Sequence, residues 1–284
     1  MDGGNMFMVT PMSQRVALDA GSTYGGYITI ANPSNATEDF HYKVVVSSYN
    51  VLDEQYTADF LTRSDRSQIV DWITVDNPTG TLKPNETTKV HYKINVPSTA
   101  PAGGQYAAFV VSSNIGEIST SSVSINNIFQ MASILYAEVE GDIVHEGEIL
   151  GVDIPGFVAT TPIVASATVR NDGNVHEAAQ ISLEVKDHFS AGQIYPVAGE
   201  SGTIEETILP GTTRHVTRDI GNILPLGIYD VVQTVSFMGN SETMHQVVVV
   251  CPVWFMALTF AVIVSVIVAI VFSVKRHRRK HIAL

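Results

Sequence analysis

Residues 253–274 read VWFMALTFAVIVSVIVAIVFSV, 22 residues without a charge, a proline or a glycine. As a helix rising about 1.5 Å per residue, the run covers roughly 33 Å, enough to cross the hydrocarbon core of a bilayer. A core helix in a globular domain is shorter and apolar along one stripe, whereas this run is apolar all round. Val253 to Val274 therefore predicts a transmembrane helix, with Pro252 just ahead of it and Trp254 where an interfacial aromatic belongs. Ala261, Ser265 and Ala269 recur at every fourth position, a spacing that suits helix packing in lipid and that chance in an apolar run supplies equally well.

Lys275, Arg276, Arg278, Arg279 and Lys280 follow at once, so five of the chain's 16 Lys and Arg residues fall in the last ten positions, without an acid. The positive-inside rule puts residues 275–284 in the cytoplasm and residues up to about 250 outside. At about 1 kcal/mol per basic residue, the tail can also touch anionic lipid headgroups. This topology needs an export signal, yet MDGGNMFMVTP has neither a basic n-region nor an apolar h-region. The expectation is a signal peptide missing from this sequence and encoded upstream. The preceding 274 residues hold 11 basic against 28 acidic side chains, a formal −17 that repels phosphate backbones and excludes nucleic acid as a partner. Cys251 is the single cysteine, so no intrachain disulfide can form. It reads as a small apolar residue at the membrane edge, lipid attachment being the less economical account.

Before residue 252 the pattern has period two. In FHYKVVV, Phe40, Tyr42, Val44 and Val46 share one face and His41 and Lys43 the other. In VHYKINV, Val90, Tyr92, Ile94 and Val96 alternate with His91, Lys93 and Asn95. Alternation of β-branched and aromatic residues predicts half-buried antiparallel strands. Turn signals (NPSN, DNPTG, KPNE, PAGG, NDGN, LPGT) punctuate them at the spacing of β-sandwiches.

The pattern also repeats. ITIANPSNATEDFHYKVVV (28–46) aligns without gaps on ATVRNDGNVHEAAQISLEV (167–185), matching Asn32 with Asn171, Asn35 with Asn174 and Glu38 with Glu177. Each copy is expected to be a hairpin with an Asn-rich turn. LKPNETTKVHY echoes ILPGTTRHVTR, and PAGGQYAAFVV echoes PLGIYDVVQTV, with Gly104 two residues before Tyr106 and Gly227 two before Tyr229. That spacing resembles the tyrosine corner of immunoglobulin-like sandwiches, in which the phenol hydroxyl ties back to the chain. The expected fold is all-β: two tandem immunoglobulin-like sandwiches, 6–137 and 138–250, then a transmembrane helix at 252–274 and a basic tail at 275–284. MHQVVVVCPVW runs straight into the membrane, so the second sandwich is proximal and the first distal.

Catalytic signatures are missing from the sequence. It contains no G-x-S-x-G and no H-E-x-x-H, and HEGE (145–148) and HEAA (176–179) lack a second histidine. Gly103 and Gly104 precede a strand, not a helix, so they are no phosphate loop. His41 and His91 share an HYK context and could share a sheet face, but no third ligand accompanies them, and solvent-facing strand positions are the plainer account. NDGNVHE (171–177) carries oxygens that could hold calcium, and a glycine-containing turn explains it more simply. No metal and no cofactor is expected, and no enzyme. Asn35 and Asn85 lie in N-x-T sequons within turns. Trp72, in IVDWITV, reads as a core residue at a strand start. DEQYTADFLTRSDRSQIVD (53–71) breaks the alternation and reads as a charged loop, with a helical turn before Trp72, and as the best candidate for binding.

FMVTPMSQRVALDAGSTYGGYITIANPS, followed by DWITVDNPTGTLKPNETTKVHYKINVPSTAPAGGQYAAFVV, resembles the first extracellular domain of WxL-interacting proteins. The shared order is P, a G-led strand, an N-P turn, W-I, L-x-P-x-E, V-P, G-G and a strand, mainly over residues 7–111. The resemblance implies a bacterial cell-surface protein with two immunoglobulin-like domains, the first binding peptidoglycan and the second a host or partner. The leading expectation is thus a single-pass plasma-membrane protein that displays two sandwiches to bind or scaffold cell-wall glycan or another surface protein. The alternative is an accessory, chaperone-like assembly subunit of a membrane complex, with the helix as its functional contact. A hydrolase is the least supported class.

Overall fold

The computed structural model describes residues 7–113, 130–197, 200–221 and 223–282, with helix side chains as far as Ser273. The start of the first expected domain at residue 6 lies outside the described residues, as do the side chains of Val274, Lys275, Arg276, Arg278, Arg279 and Lys280. By backbone packing the chain forms two compact units. The first holds the described residues up to Gly147 together with 170–177 and 207–214, and the second holds 148–169, 178–206 and 215–282.

In the first sandwich, β1 (Met8–Thr10), β3 (Thr23–Ala31), β9 (Thr87–Asn95) and β7 (Ile73–Val75) form a sheet in the order β1-β3-β9-β7. The facing sheet runs β2 (Ser13–Leu18), β11 (Gln130–Val139), β10 (Gly103–Ser113), β4 (Phe40–Ser48) and β8 (Thr79–Leu82). A ribbon of β5 (Asn50–Val51) and β6 (Ala58–Asp59) and a 3-10 helix, Asp65–Asp71, lead into β7. The chain changes sheets after β1: Met8–Thr10 pairs antiparallel with β3, while β2 lies parallel to β11. Period-two alternation dictates the core. Phe40, Tyr42 and Val44 point in while His41 and Lys43 point out; Val90, Tyr92, Ile94 and Val96 point in while His91, Lys93 and Asn95 point out. Ile28, Ile30 and Ile94 from one sheet meet Phe109, Val111 and Leu135 from the other in a single cluster. Each such side chain contributes about 1.5–3 kcal/mol on leaving water.

The second sandwich repeats the plan. One sheet has the order β12 (Gly147–Asp153), β14 (Ile163–Asn171), β18 (Thr212–Ile220). The other runs β13 (Phe157–Val158), β20 (Asn240–Val250), β19 (Gly227–Phe237), β15 (Glu177–Asp187), β16 (Gln193–Tyr195), with β17 (Thr203–Ile208) also on β15. Ile163, Ala165, Leu183, Val185, Val231 and Val248 fill its interior. The fold is all-β, two immunoglobulin-like sandwiches followed by a C-terminal helix.

The aligned segments 28–46 and 167–185 are not hairpins. β3 and β4 lie in different sheets, as do β14 and β15. Alternation tells which face of a strand turns inward, not which sheet the strand joins. The repeated asparagines hold these crossings. Asn32 Nδ2 donates to the carbonyls of Glu38 and Leu82, both at 3.0 Å. Asn171 Nδ2 donates to Val175 O at 2.8 Å and Ile208 O at 2.9 Å. Both are buried, and Leu82 and Ile208 each close the strand that precedes the next turn.

Helix α1 (Val253–Ile282) follows β20 after two residues. The Pro252 carbonyl accepts from Phe255 N at 3.0 Å and Met256 N at 3.1 Å, which starts the helix. Val253–Ser273 is long and apolar enough to cross a membrane and is not buried against the rest of the chain. Two of its hydroxyls are satisfied within the helix: Thr259 Oγ1 donates to Met256 O and Ser265 Oγ to Ala261 O, both at 2.8 Å. Hydroxyls bonded this way expose no unmet donor to hydrocarbon.

Within the first unit, Tyr49, Tyr106 and Tyr136 bury an aromatic cluster with Leu209. His176 stands with its ring centroid 5.2 Å from that of Tyr136 and 5.8 Å from that of Tyr106. Burial, aided by the positive charge of Arg15, holds the His176 pKa down to about 4 from its ordinary 6.5. The unfolded chain therefore binds a proton between pH 6.5 and 4 that the folded chain refuses, and stability falls as pH drops through that window. The expected loss is at most about 3 kcal/mol. Urea midpoints recorded from pH 7 to pH 4.5 should fall more steeply for the natural chain than for His176→Leu, and parallel curves would contradict the account. The asparagine bridges predict that Asn32→Ala destabilises by about 1–3 kcal/mol, because the buried Leu82 carbonyl and the partly buried Glu38 carbonyl lose their donor. Asn35→Ala, at an exposed position of the same loop, should stay within about 0.5 kcal/mol. Trp72 fluorescence during urea unfolding, in a Trp254→Phe background, reads both, and equal midpoints for the two variants would contradict the bridging role.

Candidate binding surface

Trp72 is buried, at 9% exposure, in the first core. It caps the 3-10 helix, its N–H donating to Ile69 O at 3.0 Å, and its carbonyl accepts from Asn95 N at 2.9 Å. Gly104 and Gly227 allow a tyrosine ring to fold back over the chain. A Cβ on Gly104 would lie 1.9 Å from the Tyr106 hydroxyl oxygen, and one on Gly227 2.6 Å from that of Tyr229. No side chain fits at those separations. The Tyr229 hydroxyl donates to Leu224 O at 3.1 Å. Tyr106 instead packs edge-on against Tyr136, their centroids 6.0 Å apart, and burial pushes its phenol pKa far up. Val253 and Trp254 open α1 with exposed side chains. These residues are scattered: Trp72 and Tyr106 build cores, Asn32 and Asn171 tie loops, and the helix positions stand apart.

The charged stretch 53–71 is folded rather than open. Asp53 accepts from Thr57 N at 3.0 Å and Thr57 Oγ1 at 2.8 Å, and Asp59 accepts from Leu61 N at 2.9 Å. Arg63 grips Asp71 with both terminal guanidinium nitrogens, donating to Oδ2 at 2.9 Å and Oδ1 at 3.1 Å. Hydrogen bonds from Thr57 to Asp53, from Thr62 and Leu61 to Asp59, and from Arg63 to Asp71 hold these carboxyls below their ordinary pKa. The expected helical turn before Trp72 is the 3-10 helix Asp65–Asp71. Among its exposed side chains, which are mostly polar, Leu61 is the one large apolar group, at 91% exposure.

His41 and His91 do not share a sheet face, because β4 and β9 belong to opposite sheets. His41 Nδ1 bonds Thr81 Oγ1 at 2.8 Å. His91 belongs to a different constellation, one invisible in the motifs. β3 sets Gly25 opposite Lys93, Gly26 opposite Tyr92 and Tyr27 opposite His91. Gly26 faces inward, where a Cβ would lie 2.4 Å from the Tyr92 ring. Gly25 faces outward, with nothing within 4 Å of where a Cβ would stand. The missing side chain leaves an open depression of about 390 Å³, lined by Gly25, Tyr27, Asp76, His91 and Lys93. Tyr27 is 43% exposed, its centroid 5.7 Å from that of His91, with Lys89 Nζ 4.1 Å from its ring centre. Asp76 is fixed beside them by Asp76 N donating to His91 O at 2.8 Å. An aromatic wall with a few convergent polar groups is the composition of a small-ligand site. The sequence signal was GGY inside a strand, a gap followed by an aromatic on the same outward face.

In the 171–177 turn the side-chain oxygens serve the protein itself. Asn171 Oδ1 accepts from Gly173 N at 2.9 Å, and Asn174 Oδ1 from Val144 N at 2.8 Å. Among the described residues, no group of three His, Cys, Asp or Glu is placed to hold a metal. The sequon residues Asn35 and Asn85 are both exposed.

No family model matches the chain. No curated protein matches it. Among solved structures it is similar to the class 5 fimbriae chaperone CfaA, at 11% identity and a TM-score of 0.40, over 86% of this chain and 99% of that one. It is also similar to a chain of the CsuC–CsuE chaperone–tip adhesion subunit pre-assembly complex of Acinetobacter baumannii, at 13% identity and a TM-score of 0.40, over 85% and 98% of the two chains. The E. coli chaperone DraB is similar at 12% identity and a TM-score of 0.38, over 85% and 97%.

Proposed function

We propose that this chain is a single-pass, membrane-tethered binding module, which presents two immunoglobulin-like sandwiches outside the cell and engages cell-wall glycan or a surface protein without catalysis. One observation carries the reading. Strand β20, paired with β19 along its length, joins an unburied apolar helix through only Cys251 and Pro252. A sandwich on so short a tether stays at the membrane, which is a means of display. The basic residues after the helix favour the N-terminal side outside and the C-terminus in the cytoplasm. The depression beside Tyr27 suits a ring-shaped polar ligand such as a sugar, with its apolar face on the aromatic wall and its hydroxyls toward Asp76, His91 and Lys93. Membership among WxL-interacting proteins is part of the same proposal, and WxL-type genes beside this one are its expected genomic signature.

The second reading is an accessory subunit that helps assemble a membrane complex through its helix. It is favoured by Ala261, Ser265 and Ala269, which form one face of α1 made flatter because the Ser265 hydroxyl folds back onto Ala261 O.

Capture of the detergent-solubilised full chain by purified peptidoglycan and by surface-protein extract tests the first reading, and capture by neither would sink it. If glycan is the ligand, Tyr27→Ala should weaken capture about tenfold, or ~1.4 kcal/mol, as expected for losing one aromatic anchor. Unchanged capture would remove the depression from the site. Replacing residues 253–273 with an unrelated apolar span should leave capture intact. Loss of function in cells on that swap alone would favour the assembly reading.

A further inference from the structure

We propose that the helix-proximal end of the second sandwich docks on the lipid bilayer surface through an apolar rim of Phe157, Phe189, Leu224 and Leu226. The inference rests on the reading that α1 spans a membrane.

Strand register gathers the four residues. Gly227 pairs with Val250 and Phe157 with Val249, so Leu226, Leu224 and Phe157 stand beside the last turn of β20. Asp187 pairs with Tyr229, and His188 N donates to Ile228 O at 3.0 Å, which brings Phe189 to the same end. Val250 is three residues from Val253, so the helix begins within about 11 Å of that end, three steps of 3.8 Å. Wherever the helix enters the bilayer, these loops are next to it.

All four side chains are exposed, Phe189 at 80%, Leu224 at 72%, Phe157 at 51% and Leu226 at 43%. They are held out by rigid backbone. Asp187 Oδ1 accepts from Phe189 N at 3.1 Å, Ser190 N at 2.7 Å and Ser190 Oγ at 2.8 Å, and Asp187 N donates to Gly192 O at 2.9 Å. Leu224 is fixed through its carbonyl by the Tyr229 hydroxyl. Ordered turns that keep large apolar side chains in water forgo the burial that would otherwise reward them, and apolar patches of this kind mark interaction surfaces. The opposite end of the β19–β20 hairpin, Asn240 to Thr243, is polar. Asp187, Asp219 and Asp230 border the rim, while Lys186 is paired with Glu184 and His188 with Asp230. Apolar insertion, not attraction to anionic headgroups, must therefore carry the contact, and a zwitterionic bilayer suffices. Trp254, 64% exposed at the start of α1, adds an aromatic at the same depth. Docking at several points would fix the tilt of the second sandwich on the membrane, which a helix alone leaves free.

The test uses the full chain, with Cys251→Ser, in phosphatidylcholine nanodiscs and a nitroxide at one engineered cysteine at a time. Phe189→Cys and Leu224→Cys report the rim. Ser241→Cys reports the far end, nine residues or roughly 30 Å along β20. Ser265→Cys reports the middle of the helix. Labels at 189 and 224 should show several-fold less collision with aqueous nickel chelate than the label at 241, and should collide with oxygen dissolved in lipid. A lipid-embedded label at 265 with fully aqueous labels at 189 and 224 would overturn the docking while leaving the spanning helix intact. An aqueous label at 265 would overturn the spanning reading and the docking with it.

Discussion

The connection between β20 and α1 governs what this molecule can do. Eleven residues of β20 pair in register with β19, from Asn240 opposite Phe237 to Val250 opposite Gly227. Two residues later the Pro252 carbonyl is already accepting the first helical bonds. A strand that deep in a sheet cannot peel away without exposing Val248 and Val250, both wholly buried, so the start of the helix is fixed to the sandwich core. The proposed display, membrane proximity and docking of the apolar rim all rest on that short, tightly held link.

Within each sandwich the same physics appears twice. Alternating strands bury one face against the facing sheet, and in each sandwich one crossing, β3 to β4 and β14 to β15, is held by a buried asparagine that donates to two carbonyls. A Gly-x-Tyr pair at the start of the long central strand lets the ring lie over the glycine in both copies. The copies diverge in the surroundings of the phenol. Tyr229 donates to a loop carbonyl, while Tyr106 packs among Tyr136, Tyr49 and His176. That aromatic cluster is also where the first unit becomes sensitive to pH.

Much of this was legible in the sequence, for identifiable reasons. Inward faces such as Phe40, Tyr42 and Val44 could be named because side-chain direction alternates strictly along a strand. The gapless match of Asn32 to Asn171 was visible, but its meaning was not, since a hairpin turn and an inter-sheet crossing use the same small polar residues. Sheet membership depends on long-range pairing, which local pattern does not encode, and so the shared HYK context of His41 and His91 does not reveal that they lie on opposite sheets, though their outward direction is legible. The charged stretch 53–71 drew attention as a loop, yet its charges are largely matched by its own residues. The depression beside Tyr27 exists because Gly25 lacks a side chain two residues before an outward aromatic on the same strand, and the register of β3 on β9 supplies the polar groups, His91 and Lys93, that line it.

The central claim is that α1 spans a membrane and carries the sandwiches on its surface, and membrane extraction tests it most directly. Membranes from cells producing the full chain are washed with alkaline carbonate, which strips peripheral proteins, beside a chain lacking residues 253–273. The account predicts that the full chain stays with the lipid and the shortened chain is released. Release of the full chain by carbonate would contradict it.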